Sequence, residues 1–120
     1  MAPEDLLAHG LDLFNNGYYW EAHEAWERLW QAAPRDSAHS QLLQGLIALA
    51  AAGVKVRQGQ PIGLTRHAQR AARFFASLPE RFAGFRRDDL TAFAQESSTV
   101  PVRPADSDVP EIVFGRALIR

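Results

Sequence analysis

The stretch FNNGYYWEAHEAWERLW, Phe14 to Trp30, decides the fold. Asn15-Asn16-Gly17 is a helix-stop signal, because asparagine and glycine tolerate the left-handed conformation that ends a helix. The residues after Gly17 have helical period. Tyr19, Ala22, Trp26, Leu29, Trp30 and Ala33 fall on one apolar arc, while Glu21, Glu24, Arg28 and Gln31 lie opposite. This second helix runs from about Tyr19 to Ala33, and Pro34 closes it. A link of a few residues joins it to the helix before, which predicts an antiparallel helical hairpin.

The pattern continues on both sides. Upstream, a first helix starts near Pro3-Glu4, with Glu4 and Asp5 in its first turn, where the helix dipole favours acids. Downstream, a third helix from about Ser37 to Arg57 is apolar nearly all round between Leu42 and Val56, which predicts the buried central helix. Its exceptions, Gln44 and Lys55, share a stripe with Ala48 and Ala51, small residues that admit a close neighbour. A buried amide needs a partner, so Gln44 is expected to approach the carboxylate of Glu24 or Glu27. Gly59-Gln60-Pro61 is a turn, and Pro61 suits the first position of a fourth helix reaching about Leu78. Leu64, Ala68, Ala71, Phe74, Phe75 and Leu78 face inward with His67 on the same arc, and Arg66, Arg70 and Arg73 face outward. After Pro79 the pattern gives a turn of helix, then a short helix near Asp88–Glu96. The tail VPVRPADSDVPEIVFGRALIR has three prolines and a strand-like EIVF, and reads as an extended arm that orders only by packing on something. The expected fold is all-α: a compact bundle of four main helices over residues 1–98, with helix three central, a short C-terminal helix, and an arm over 99–120.

A chain of 120 residues suits one domain with a modest core. Hydrophobic residues make up 47% and charged residues 22%, the balance of a soluble globular protein. The absence of cysteine excludes disulfides and thiolate metal sites. No apolar run reaches the roughly 18 residues of a membrane span, and the N-terminus does not read as a signal peptide, so a cytoplasmic protein without membrane attachment is expected. The net charge of −1 conceals a segregation. Residues 1–34 carry six acids and one base, whereas residues 55–87 carry one acid, Lys55 and seven arginines. One reading is mutual attraction within the domain, and the other is a basic surface for an anionic partner.

The polar residues of helix two need separate weighing. A zincin holds its metal with His-Glu-x-x-His, but the residue after His23-Glu24-Ala25-Trp26 is Glu27, so that class is rejected. His23 and Glu27 still lie one turn apart and can share a ligand, with His67 or Gln44 completing the group from another helix. The structural alternative has Glu27 fixing the His23 tautomer and Glu24 pairing with Arg28. No cofactor and no tightly bound metal are expected, since this chain offers too few convergent ligands. Trp20 projects from the polar side of helix two, where another surface is needed to cover it. The row Arg66, Arg70, Arg73 lacks interleaved aromatics, so nucleic acid is not the expected partner.

These residues carry two resemblances. GYYWEAHEAWERLWQAAP is similar to the second helix of a tetratricopeptide repeat, covering half a repeat in one copy. More specifically, Phe14 to Trp30, Gln44 to Ala52 and the Gly59-Gln60 turn resemble a small bacterial and archaeal family known as domain of unknown function number 309. The likeness spans about residues 9–75 and implies a helical bundle with no established reaction. It directs attention to Glu21, His23, Glu24, Glu27, Trp30 and Gln44, with Gly53 and Gln60 departing from the pattern. The expected function is a binding or protein-interaction module that forms a homodimer through Trp20 or the arm, with a protein or small anion as its other partner. The alternative is a hydrolase working through His23, Glu24 and Glu27, with or without a divalent metal.

Overall fold

The computed structural model describes residues 2–104 and 107–120. Five helices run in order: α1 (Pro3–Asn15), α2 (Tyr19–Ala32), α3 (Ala38–Arg57), α4 (Pro61–Ala76) and α5 (Arg87–Ser97). Each helix packs on the next, with a small hairpin inserted between α4 and α5, and α3 lies between α2 and α4. Leu42, Leu46, Leu49, Ala50 and Ala52 of α3 are buried, which makes α3 the central helix expected from its all-round apolar surface.

The helix ends reflect local chemistry. Pro3 and Pro61 occupy the first turns of α1 and α4. Ser37 caps α3, its hydroxyl accepting the Ser40 N–H at 3.1 Å. The third helix closes at Gly59, where φ is +68° and the Gln60 N–H reaches back to the Lys55 carbonyl at 3.0 Å.

One expectation is corrected. The segment after Pro79 is not a turn of helix. It forms a two-stranded antiparallel hairpin, β1 (Arg81–Phe82) and β2 (Phe85–Arg86), with Phe82 opposite Phe85. Ala83 and Gly84 both have positive φ, +51° and +85°, which is the tight turn that matches strand twist. The EIVF segment, strand-like in composition, lies without regular structure in the extended arm. Its Phe114 enters the core, stacked on Phe14 at 5.7 Å and edge-on to Tyr19 and Phe93. Hydrogen bonds to its backbone tie down the arm, among them the Arg103 N–H to the Val56 carbonyl at 3.1 Å. The Val113 N–H donates to Tyr19 Oη at 2.9 Å, and Leu118 uses both its N–H and its carbonyl on the Asn15 side chain, at 2.7 and 2.9 Å. The arm packs on its own chain because Phe114 and Leu118 bury apolar surface there.

Candidate functional site

Side chains of α2 and α4 flank a cleft of about 180 Å³ over α3. Its floor is Ile47, Ala48 and Ala51 of α3. His23, Glu27 and Trp30 approach from α2, Gln44 from α3, and His67 and Arg70 from α4. The small residues at 48 and 51, expected to admit a close helix neighbour, border this opening instead.

His23 is contacted from two sides by its own helix. Trp20 stacks on it at 5.4 Å with the rings nearly parallel, 10° apart. The indole stays 57% exposed, so it is covered neither by α3 nor by another described element of this chain. Glu27 Oε2 stands 3.4 Å from His23 Nδ1. The geometry does not make a hydrogen bond, and the buried Nδ1 is left without a partner. A separation of 3.4 Å is long for a hydrogen bond, so the contact does not satisfy this nitrogen.

Gln44 does not donate to a carboxylate. Its amide donates to Ser40 Oγ at 3.1 Å, and Trp30 Nε1 donates to the same oxygen at 3.2 Å. The reason is proximity: Ser40 lies one turn away on the same helix, buried, and offers an acceptor within easy reach. Sequence reasoning overlooks Ser40, although its i, i+4 relation to Gln44 is the available signal. Trp30, expected inside, is 39% exposed at the rim.

Burial, and then the nearby charges of Lys55, Arg70 and His23, hold His67 below its ordinary 6.5. Its imidazole is thus mostly neutral at physiological pH, with one donor and one acceptor nitrogen. Among the described residues, no three His, Asp or Glu side chains gather closely enough to hold a metal ion.

The remaining candidates lie elsewhere. Glu21 and Glu24 line a groove between α1 and α2 with His9 and Arg28, and Glu27 borders both this groove and the cleft. Among the described residues Glu24 and Arg28 form no ion pair, since both side chains extend into solvent. Arg66, Arg70 and Arg73 line a basic groove with Lys55, Gln60 and His67. Gln60 and Gln58 hold the Lys55 ammonium at 3.1 and 3.2 Å. None of the ion pairs of the described residues joins the acidic segment 1–34 to the basic segment 55–87. Arg70 therefore serves two openings, and its guanidinium also lies 5.6 Å over the Phe74 ring.

The family model described as Domain of unknown function (DUF309) matches residues 7–67. That is just over half of the chain. The chain belongs to this family. The DUF309 match contains every cleft residue named above except Arg70. Comparison with curated proteins gives no match. Among the described residues, no helix is long and apolar enough to cross a membrane.

Proposed function

We propose that this DUF309 protein is a binding module and that the cleft between α2, α3 and α4 is its ligand site. The observation that supports it most is the combination of His23, Glu27, Gln44, His67 and Arg70 around an apolar floor, with the buried His23 Nδ1 lacking a partner. An orphaned buried polar atom costs free energy and is satisfied by a ligand or water that reaches it. A few convergent polar groups over apolar side chains are also the usual composition of a small-molecule site.

The hydrolase alternative has less support. The cleft supplies the His23–Glu27 pair, but no serine or threonine hydroxyl lines it as a nucleophile. The reading as a module also takes the protein as self-associating. Tyr18 and Trp20, both exposed, flank a groove where Ser107, Asp108 and Pro110 of the arm cross, and this joins the two expected contact elements in one patch.

The test is a diverse fragment library titrated into the isotope-labelled full chain. Hits should shift the Trp30 indole and Gln44 amide signals together, and His23→Ala should weaken them. A screen whose hits leave these signals in place would overturn the assignment of the site.

A further inference from the structure

Two opposite charges face the cleft without meeting. Glu27 approaches from α2 and Arg70 from α4, and among the described residues no ion pair joins them. Arg70 makes no ion pair among the described residues at all, and Glu27 has only its long contact to His23. The floor of the cleft is apolar, Ala48 and Ala51 beside Ile47, and the neighbouring walls carry His23, Gln44 and His67.

This arrangement selects against a ligand with one charge. A carboxylate alone gains the Arg70 guanidinium but meets Glu27, and an amine alone gains Glu27 but meets Arg70. A ligand with both charges satisfies both ends, and its aliphatic part covers the alanines. The volume sets the size. A cavity of about 150 Å³ holds benzene, so a cleft of about 180 Å³ takes a body of roughly six to nine heavy atoms.

We infer that the cleft binds a small aliphatic zwitterion, with one primary ammonium placed at Glu27 and one carboxylate at Arg70. The inference rests on the reading of the cleft as a ligand site and adds the ligand's chemical class. The Arg70 guanidinium matches a carboxylate with two parallel hydrogen bonds, which a lysine would not reproduce. Trp30 and Ile47 border the aliphatic part. Polyanions are disfavoured by the Glu27 carboxylate, although the adjoining basic groove alone would accept them.

The probes are matched in size: leucine and 4-aminobutanoate as zwitterions, 4-methylpentanoate as the acid, and isoamylamine as the amine. Each is titrated into the labelled full chain, monitoring the Trp30 indole, the Gln44 amide and the Arg70 Nε–H. At least one zwitterion should bind about tenfold more tightly than either singly charged analogue, the effect of one lost charge-assisted contact. Glu27→Gln should remove the advantage over the acid, and Arg70→Gln the advantage over the amine. Both side chains are substantially exposed, so neither variant endangers the fold. Equal binding of acid and zwitterion to the wild type would overturn the inference while leaving the cleft a binding site. Silence from all four probes would also overturn it. In that case the fragment screen judges the binding-module reading on its own.

Discussion

His67 shows how one residue's surroundings set its chemistry. On the sequence it is a polar residue on the inward arc of α4. In the structure it is half-buried between two openings, facing Lys55, Arg70 and His23, and its neutral form is favoured. The sign of the pH effect comes from linkage. Above 6.5 the imidazole is neutral in both folded and unfolded chains and contributes no difference. As the pH falls below 6.5, the unfolded chain takes the proton first and stability declines until the folded-state pKa is passed. His67→Gln should therefore flatten the fall in urea midpoint between neutral pH and about pH 5, relative to wild type. Parallel curves for the two proteins would show that other groups carry the acid sensitivity. Ser40 makes the complementary point. Nothing in the apolar pattern marks it, yet it accepts from both Trp30 and Gln44.

At the scale of elements, three helix contacts share one device. An aromatic ring lies over a glycine of the neighbouring helix: Trp26 over Gly10 between α2 and α1, Tyr19 over Gly53 between α2 and α3, and Phe75 over Gly45 between α4 and α3. A Cβ at any of these glycines would collide with the ring. This explains Gly53, a plain departure inside a helix when only the sequence is considered. Glycine there weakens α3 by about 1 kcal/mol relative to alanine, but it lets α2 come close. Gly53→Ala gains that propensity and loses to overpacking of about 1–3 kcal/mol, since Tyr19 is also pinned by Phe14 and Phe114. The expected net effect is destabilisation by up to about 2 kcal/mol, read from the shift in denaturation midpoint. A stabilised variant would mean that the ring moves aside easily. The hairpin of β1 and β2 was not legible by the same logic. Two-residue strands are too short for a period, and Ala83 is a poor sign of the positive φ it adopts.

For the whole molecule, the arm is the element whose role changed most. It stands outside the DUF309 match, yet Phe114 completes an aromatic cluster with Phe14, Tyr19 and Phe93. Its Arg116 lies 4.7 Å over the Phe93 ring and also pairs with Glu96. Gly17, where the first two helices turn, leaves room for the arm: a Cβ there would lie 2.7 Å from the Glu111 backbone. With Phe114 and Leu118 covered, the large apolar groups exposed for a second copy include Tyr18 and Trp20 of the first hairpin and Val109 and Ile112 of the arm. The expected outcome is a dimer mass by light scattering at high concentration, falling toward the monomer for Trp20→Ala. A monomer mass for wild type throughout the concentration range would count against self-association.

The sequence by itself determined the helices, their order and the central place of α3. Those obey local rules: apolar period, proline at helix starts, and glycine or asparagine at their ends. It also marked His23, Glu27, Gln44 and His67 as polar residues in need of partners. Only the tertiary structure decided who those partners are. A helical wheel gives the direction of a side chain but not the distance to another helix, so it could not show that Glu24 borders only the α1 groove while Glu27 borders both that groove and the cleft. Nor could it place Arg70 opposite Glu27, or choose Ser40 over a carboxylate for Gln44. Those choices depend on how closely α2 and α4 approach across α3, and the glycines under Tyr19 and Phe75 set that spacing.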